Sequence, residues 1–387
     1  MNLHLDRRQW KRVKFGDVVR NVNEYFDRDG GGVLPYVAGP HIEPGELRPR
    51  YGSTDDDVFP PTFKRMFIAG DVLIHSRGIE KVAVPDRSGV TGEKLFVLRS
   101  LDAGILDQRF LPFLVMSPLT RKHMADNFTG SVNKFLNWKP LAALEFDLPP
   151  LNQQRQIADL FWAVEANLEA QRTIAAKASL LERGLIVGTL DLPGPIFELQ
   201  EIGNVLMGRQ RAPQYATGDN IVPYLRVANI GDNMLRLSDV KEMNFDLREV
   251  EHYRLQVDDI LVSEGQSREL VGQAARIDKV SRIICFQNTL IRFRPNRAAT
   301  HPEFAYALIR ALFYSGHFAS LASQTTSIAH LGVKRFATCK VAIPPGEVQL
   351  RRLEQIQMTQ KAVAAAALVV DKAFSLRQSL LEEVFSS

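Results

Sequence analysis

The sequence predicts an α+β protein in which two related domains are separated by two long helices that form an antiparallel coiled coil. Three observations support this prediction. Strand patterns recur in the same order in both halves of the chain, each half closes on a strand that ends in two prolines, and each proline pair opens a long helical pattern. The chain has 387 residues, of which 45% are hydrophobic, so it is long enough to bury more than one core.

An internal repeat of about 190 residues relates the two halves of the chain. The segment "LPYVAGPHIEPGEL", which begins at residue 34, lies over "VPYLRVANIGDNML", which begins at residue 222. At the same offset of 188, Asp71 falls on Asp259, and each precedes an apolar strand. Further along, the proline pair that ends at Pro150 meets the pair that ends at Pro345 at an offset of 195. Because several matches share one offset and one order, a duplicated domain explains them better than a chance similarity between two α/β domains.

The repeated order also predicts the domain bounds. Each half has a Pro-Tyr strand, an Asp-led apolar strand, further strands, a helix near 109–125 or 302–322, a Ser-led turn and a last strand before the prolines. The segment "DLPGP" at 191–195 ends the first long helix and starts the second half. The predicted order is a first domain at 1–150, a first spacer helix at 151–191, a second domain at 192–345 and a second spacer helix at 346–387.

Both long helices carry narrow apolar stripes with a 3–4 spacing. The stripe of the first helix comprises positions 157, 160, 164, 174, 178, 181 and 185; that of the second comprises 353, 356, 360, 363, 367, 370, 374, 377, 381 and 384. Such stripes are typical of a coiled-coil seam, and an isolated helix of roughly 50–60 Å would not be stable in water. We therefore expect the two helices to pack on each other in antiparallel orientation, and the alternative that each packs on its own domain stays open.

The composition predicts a cytoplasmic protein that does not enter a membrane. No apolar run approaches the ~20 residues of a membrane helix, and the N-terminus has charges but no apolar segment of the kind found in signal peptides. Cys285 and Cys339 are the only cysteines, too few for a disulfide framework or a zinc cluster, which favours a reducing compartment.

The positive charge lies in the two predicted domains. The formal net charge is +4; residues 1–150 carry 21 Lys and Arg against 19 Asp and Glu, and residues 196–345 carry 18 against 15. The two helical segments carry no excess of positive charge. A small excess can bind a polyanion if it is clustered on one face of a domain.

The sequence lacks the motifs of common catalytic and metal sites. It contains no phosphate-binding G-x-x-x-x-G-K-[ST] loop, no G-x-G-x-x-G after a strand and no G-x-S-x-G nucleophile elbow. The eight histidines are scattered without ligand spacing, and H-E-x-x-H is absent. We therefore expect no catalytic residue, no metal site and no cofactor in this chain.

Two segments resemble the central conserved region of type I restriction-modification specificity subunits. They are "DLPPLNQQRQIADLF" at 147–161, which opens a long helix, and "LLERGLIVGTL" at 180–190. In that family, two target-recognition domains alternate with two conserved helices. The second helix here departs from the pattern: "PPGEVQLRRLEQI" keeps Pro344, Pro345 and Gln349 but loses "NQQRQI".

The resemblance implies a DNA-reading subunit that is not itself an enzyme. Its partners would be double-stranded DNA, two methyltransferase (modification) subunits that carry S-adenosylmethionine and methylate adenine, and restriction/translocase subunits that use ATP and Mg²⁺. Each target-recognition domain would read one half of a bipartite asymmetric target. The coiled coil would set the spacer between the half-sites and dock the modification subunits.

The resemblance also directs attention to residues that could touch DNA. Arg and Lys suit guanine, and Asn and Gln suit adenine, whereas phosphate contacts fix position without reading sequence. The candidates follow the Asp-led strand or lie in the Ser-led turn: Arg77, Lys81, Ser131, Asn133 and Lys134 in the first domain, and Gln266, Ser267, Arg268, Ser327, His330 and Lys334 in the second. Each could equally be an ordinary exposed polar residue. Arg292 and Arg294 alternate in "LIRFRP" and are expected to face solvent.

An exposed helix face is the candidate docking surface for the modification subunits. It carries Gln153, Gln154, Arg155 and Asp159, which could instead form a solvated helix cap. Two other functions are compatible with the sequence. One is a stand-alone two-domain DNA-binding regulator, and the other is the detached specificity part of a fused restriction-methylation enzyme.

Overall fold

The structure is a computed structural model that describes residues 6–26, 33–53, 59–60, 62–324 and 327–385. It divides into two units, the first formed by residues 1–173 and 368–387 and the second by residues 174–367. Each long helix begins in one unit and ends in the other. The predicted α+β class is confirmed, whereas the predicted domain bounds, which assign each long helix to a segment of its own, remain a prediction.

The described residues of the first unit form three sheets, short helices and parts of both long helices. Its elements in chain order are β1 (Lys11–Lys14), α1 (Phe15–Val18), β2 (Val19–Asn21), β3 (Pro35–Val37), β4 (Gly52–Ser53), β5 (Arg65–Phe67), β6 (Val72–His75), β7 (Gly78–Ala83), β8 (Gly89–Thr91), β9 (Leu95–Ser100), α2 (Leu111–Met116), α3 (Pro118–Asp126), α4 (Trp138–Ala142), β10 (Glu145–Leu148) and the start of α5 (Leu151–Val187). The sheet orders are β1-β10, β2-β9-β6-β7 and β4-β3-β8-β5.

The second unit begins within α5 and repeats this plan. Its elements are β11 (Ile196–Glu198), α6 (Leu199–Ile202), β12 (Gly203–Met207), β13 (Ile221–Leu225), β14 (Ile230–Gly231), β15 (Met234–Leu235), β16 (Lys241–Asn244), α7 (Leu247–Tyr253), β17 (Ile260–Ser263), β18 (Gly265–Gln266), β19 (Ala274–Arg276), β20 (Cys285–Phe286), β21 (Leu290–Pro295), α8 (Pro302–Tyr314), α9 (His317–Leu321), β22 (Ser323–Gln324), β23 (Ala329–His330), α10 (Val333–Ala337), β24 (Lys340–Ala342) and the start of α11 (Gly346–Phe385).

The repeat predicted from the sequence is visible in the strand pairing. The order β2-β9-β6-β7 in the first unit corresponds to β12-β21-β17-β19 in the second, and all neighbours in both sheets are antiparallel. Tyr36 and Tyr224, which the sequence aligned, each lie on a strand that pairs in parallel with a later strand, β8 or β20. The two units are therefore copies of one fold.

The aligned aspartates make the same contacts in both copies. The carboxylate of Asp71 accepts two hydrogen bonds from Arg99, both at 2.7 Å, and one from the backbone N–H of Ile68. The carboxylate of Asp259 likewise accepts two from Arg294, at 2.6 and 2.8 Å, and one from a backbone N–H three residues earlier. Both carboxylates are buried. Each turn also needs a left-handed residue before the aspartate, Gly70 in one copy and Asp258 in the other.

This ion pair corrects the prediction for the alternating arginines. Arg294 turns toward Asp259 rather than toward solvent, and Arg292 is 5% exposed and donates a hydrogen bond to the side-chain oxygen of Asn204 at 2.9 Å. Alternation along a strand predicts one solvated face only when nothing covers that face. Here the segment at the end of α7 lies over that face, because Arg292 and Arg294 donate to the backbone oxygens of His252 and Arg254 at 3.4 and 3.3 Å. Asn204 of the neighbouring strand β12 supplies a further polar partner.

In the first unit, the start of α5 packs against the end of α11. The rings of Phe161 and Phe385 stack with centroids 6.5 Å apart, and Arg377 donates to Glu165 at 2.8 Å. Residues further along α5 therefore contact residues that come earlier in α11, so the two helices are antiparallel as predicted. Both helices also contribute to the core of this unit, because Ile157 on α5 and Leu381 on α11 belong to one buried cluster with the strands.

In the second unit, the end of α5 packs against the start of α11. Arg352 donates to the backbone oxygen of Leu185 at 2.9 Å, and Gln360 donates to the carboxylate of Glu182 at 3.2 Å. The order is again antiparallel. Ile186 and Ile356 share a buried cluster with residues of α8, so each long helix packs on its partner helix and also on a domain.

The buried face of α5 differs in part from the predicted stripe. Ile157 is buried as predicted, but Ile174 is 52% exposed and Leu181 is 60% exposed. Glu165 lies inside instead, with 8% exposure, because Arg377 neutralises and hydrogen-bonds its carboxylate. The stripe of α11 agrees better, since Leu353, Ile356, Leu381 and Val384 are all buried.

The glutamine that follows each proline pair holds a long helix to its domain. Gln154 donates to the backbone oxygens of Pro149 and Ile105 and accepts from the backbone N–H of Asp107 at 2.8 Å. In the second copy, Gln349 donates to the oxygen of Pro344 and accepts from the backbone N–H of His301 at 2.9 Å. Both side chains are buried, and these bonds satisfy a backbone oxygen just before each helix and backbone groups of a neighbouring segment.

Both cysteines are free and buried, and burial raises the pKa of the Cys285 thiol to about 12 and that of the Cys339 thiol to about 11. In the part of the chain that the structure describes, no helix combines the length and the apolar character needed to span a membrane.

Candidate nucleic-acid interface

In the first unit, two predicted groups of residues lie on loops that touch. The turn between β6 and β7 carries Arg77, and the loop between α3 and α4 carries Ser131, Asn133 and Lys134. The backbone N–H of Leu136 donates to the oxygen of Ser76 at 2.8 Å, which joins the second loop to the first. The four predicted side chains are all exposed. Together they form a candidate surface for DNA contact, which we call the first reading surface and define by residues 77 and 131–134.

The loop between α3 and α4 projects as a short hairpin. Thr129 and Phe135 exchange two backbone hydrogen bonds of 2.9 Å, so residues 130–134 form its tip. Gly130 has a φ of +95°, a left-handed conformation that a residue with a Cβ adopts only with strain. The tip presents Val132, which is 90% exposed, between polar side chains.

Cations surround the turn after β6. Burial lowers the pKa of His75, and the positive charges of Lys81, Lys94 and Arg77 lower it further, with Glu80 opposing them. The charge near this turn is therefore positive and His75 stays neutral near pH 7. Lys81, predicted as a DNA contact, is half-buried and donates to the oxygen of Gly39 at 2.9 Å, so its ammonium group contributes charge from a fixed position.

In the second unit, two of the predicted residues, Gln266 and His330, lie on a small sheet of order β18-β23-β22. Gln266 lies on β18 opposite Ala329, and His330 lies on β23 opposite Gly265. The backbone N–H of Leu331 donates to the oxygen of Glu264 at 2.8 Å, which is the counterpart of the bond between Leu136 and Ser76. Both copies therefore join the same two loops in the same way. The second reading surface is defined by residues 264–268, 327–330 and 335.

The second reading surface has a different charge pattern from the first. Nδ1 of His330 lies 3.1 Å from the carboxylate of Glu264, a residue that takes the place of Ser76 in the first copy. Gln266 uses its side-chain oxygen to accept from the N–H of Ser267 at 3.1 Å, whereas Arg268 is exposed. Ser327 is exposed beside this sheet. The second reading surface therefore combines an acid, an imidazole and an amide with the cations Arg268 and Arg335, whereas the first has a serine in place of the acid.

Two residues of α10 are placed differently from what the sequence analysis expected for the DNA-contact candidates. Lys334 is exposed and lines a depression with Gln200 and Asn204, rather than reaching the β18-β23-β22 sheet. The neighbouring Arg335, which the sequence did not single out, donates to the hydroxyl of Ser323 at 3.0 Å and to the backbone oxygen of His330 at 2.7 Å. No pattern in the sequence distinguishes Lys334 from Arg335, because the assignment depends on which side of a single helical turn faces the sheet.

The predicted docking face on α5 is only partly exposed. Gln154 is fully buried by the contacts described above, which corrects its assignment to that face. Gln153 is half-buried and accepts from the indole N–H of Trp10 at 2.9 Å. Arg155 and Asp159 are exposed, and each pairs with a residue of the loop before α2, Asp107 at 3.4 Å and Arg109 at 2.7 Å.

No group of His, Cys, Asp or Glu in the described ranges is arranged to hold a metal ion. The two surfaces consist of hydrogen-bonding and charged side chains on loops. Such groups can contact phosphates and base edges.

The same fold occurs in a solved structure of a type I restriction-modification system. A chain from a study of complex assembly and conformational transition of that system superposes with a TM-score of 0.64 over 97% of both chains, at 18% identity. This chain therefore has the fold of a subunit of a type I restriction-modification system. The fold that the sequence resemblance implies is thereby confirmed.

Two further comparisons support the specificity-subunit fold. A type I system S subunit from M. genitalium superposes with a TM-score of 0.53 over 100% of this chain and 98% of that one, at 14% identity. The specificity subunit of the type I restriction enzyme MjaX of Methanocaldococcus jannaschii is 24% identical over 168 residues, which are 42% of this chain and only 38% of that relative. No protein-family model matches the chain.

Proposed function

We propose that this chain is the DNA specificity subunit of a type I restriction-modification complex. Residues 1–150 and 192–345 would act as its target-recognition domains, each reading one half of a bipartite asymmetric target. The observation that carries the proposal is the pair of reading surfaces, which occupy the same place in both copies of the fold but carry different side chains. Because the two surfaces occupy the same place in each domain, both could approach DNA in the same way. Because their side chains differ, they could recognise different base pairs.

The chemistry of modification would belong to partner subunits. Two modification subunits would bring S-adenosylmethionine, and restriction subunits would bring ATP and Mg²⁺, while this chain would contribute recognition only. Arg155 and Asp159 remain candidates for the docking of a modification subunit. Exposed apolar residues on α5 within the second unit are further candidates: Ile174, Leu180 and Leu181.

Exchange of one recognition domain tests the proposal. Replacing residues 1–150 with the corresponding domain of another specificity subunit is expected to change one half of the methylated motif, because each reading surface lies within one domain. The measurement is methylome sequencing of DNA from cells that express the chimaera with its modification subunits. Since the end of α11 packs on the first core, the donor domain should retain apolar residues at the positions that meet Leu381 and Val384.

The reciprocal exchange of residues 192–345 is the matched control and should change only the other half. A chimaera that alters both halves would refute independent reading. If the parent protein neither co-purifies with a modification subunit nor supports methylation, the restriction-modification role itself is wrong.

The paired helices are proposed to set the number of base pairs between the half-sites. Inserting seven residues into each helix, after residues 173 and 367, preserves the 3.5-residue phase of the seam and adds about 10 Å. We expect both half-sites to stay the same and the gap to grow by about three base pairs, at 3.4 Å each. Methylome sequencing reads both quantities. Five-residue insertions, which break the phase, are the control, and an unchanged gap in the seven-residue variant would exclude the helices as the ruler.

A further inference from the structure

The tip of each reading surface presents a β-branched aliphatic side chain after a serine. Val132 follows Ser131 in the first unit, and Ile328 follows Ser327 in the second. Val132 is 90% exposed and Ile328 is 46% exposed. The tips of short hairpins ordinarily carry Gly, Asn, Asp or Ser, so turn formation does not explain the exposed Val132 at the hairpin tip of the first unit.

Each aliphatic tip stands beside the loop that follows the Asp-led strand. In the first unit, the bond between Leu136 and Ser76 joins the tip-bearing hairpin to the turn that carries Arg77. In the second, a Cβ built on Gly265 would lie 3.8 Å from Cγ2 of Ile328, which places Ile328 over β18. In each unit, the loop that carries the aliphatic residue is therefore joined to a loop with hydrogen-bonding or cationic side chains, the groups that DNA contact requires.

We infer that Val132 and Ile328 are specificity-determining residues that contact the 5-methyl group of thymine in the major groove. The inference rests on the proposed function and adds to it the base feature that each domain recognises. The thymine methyl is the one apolar group that a base pair presents in the major groove, and aliphatic side chains are suited to it. Both tips are β-branched and restricted at χ1, so little side-chain freedom is lost when the contact forms.

The polar neighbours fit this assignment. Lys134 lies two positions from Val132 on the same hairpin, and Arg77 lies on the turn to which this hairpin is bonded. Both supply cations for the phosphates, which fix the position of the hairpin without reading sequence. Asn133 can form hydrogen bonds with adenine, the base that pairs with the contacted thymine. In the second unit, His330 and Gln266 provide donors and acceptors next to Ile328.

Single uracil substitutions test the contact, since uracil is thymine without the methyl group. The protein is used as the complex with its modification subunits, on the duplex target that methylome sequencing identifies, with each thymine of the first half-site replaced in turn by uracil. One position is expected to weaken binding by about fourfold, the equivalent of about 0.8 kcal/mol for one buried methyl group. Val132→Ala should weaken binding to the thymine duplex by a similar factor and remove the penalty for uracil at that position.

Ile328→Ala is the matched control. This variant should show the same loss of affinity as the parent when the contacted thymine of the first half-site is replaced by uracil. In the second half-site, one thymine-to-uracil replacement that weakens binding of the parent should no longer weaken binding of the variant. Val132→Ala is expected to fold normally because its side chain lies almost entirely in solvent.

The inference is overturned if Val132→Ala keeps every uracil penalty of the parent protein, or if the first half-site contains no thymine. It is equally overturned if the variant loses the same affinity on all duplexes, which would indicate a wedge between bases or a contact to the backbone. In each of these cases the parent complex still methylates a bipartite target, so the proposed function stands. A parent complex that binds no specific target would instead refute the function.

Discussion

Replacing Glu165 with alanine is expected to lower the free energy of unfolding by about 3–5 kcal/mol, because it leaves the buried charge of Arg377 without a counter-ion. Arg377 is fully buried, and its Nη1 donates to Glu165 and to the backbone oxygen of Gly45. Its Nε and Nη2 have no hydrogen-bond partner among the described residues. The carboxylate of Glu165 is therefore the main compensation for this cation. Chemical denaturation measures the loss.

Removal of both charges should cost less than removal of one. The double variant Glu165→Leu with Arg377→Met replaces the ion pair by apolar side chains of similar volume, a change that is often neutral or stabilising by 1–4 kcal/mol. Additive losses in this double-mutant cycle would show that the two side chains act independently. Asp159→Ala on the same helix is the control, since its pair with Arg109 is exposed and is expected to be worth about 0–1 kcal/mol.

The pH dependence of Arg377→Met provides a second readout. Burial raises the pKa of Glu165 above its usual value, and Arg377 opposes that shift. Without the arginine, the folded-state pKa rises further above the unfolded-state value. A carboxyl group whose pKa is higher in the folded than in the unfolded state does not change the free energy of unfolding at a pH below the unfolded-state pKa. It lowers that free energy as the pH rises from the unfolded-state pKa to the folded-state pKa. The stability of the variant, relative to the parent, should therefore fall from pH 4.5 upward.

The same pair shows why the helix seam was only partly predictable. Hydrophobic spacing predicts α11 well, but on α5 it selects Ile174 and Leu181, which are exposed, and passes over Glu165 and Glu182. The sequence of a helix does not by itself predict that one of its glutamates is buried. Its burial is decided by a cation that is distant in sequence, such as Arg377, 212 positions later.

The repeat does not supply the missing information either. At an offset of 195, Glu165 corresponds to Gln360 and Glu182 corresponds to Arg377, so equivalent positions differ in charge. In the second unit, Glu182 is instead paired with Arg310 of α8 at 3.2 Å, and Gln360 donates to the same carboxylate. The two copies share one fold, but different residues neutralise the glutamate of α5 in each copy.

In the candidate site, the position of the loops was easier to predict than the orientation of their side chains, and DNA contact by these loops stays a prediction. Strand ends and Ser-led turns are local features that the repeat places at equivalent positions, and the structure joins the two loops in each copy. Which side chains on those loops face outward depends on packing within a single turn. That is why Gln154 was assigned to a surface that it does not reach, and why Arg335 was missed.

Replacing Asp259 with alanine is expected to destabilise the second unit by about 3 kcal/mol, and Asp71→Ala should do the same in the first. Each substitution removes the acceptor of two guanidinium bonds and one backbone N–H, and the carboxylate lost is buried. This loss is at the low end of the range of about 3–5 kcal/mol expected when one partner of a buried ion pair is removed. The side chain of Arg294 is 31% exposed and that of Arg99 is 17% exposed, so water can solvate the arginine that remains.

Hydrogen exchange followed by mass spectrometry can locate the loss. In Asp259→Ala, amides of β17 and β21 should exchange faster while those of β6 and β9 keep the protection of the parent protein, and Asp71→Ala should give the reverse pattern. Asp278→Ala is the control, because its carboxylate is 74% exposed and pairs with Arg276 at the surface. Equal acceleration in both sheets would mean that the two copies unfold as one cooperative body. A loss no greater than that of the control would mean that the aspartate common to both copies contributes little to stability, despite its identical bonding in each.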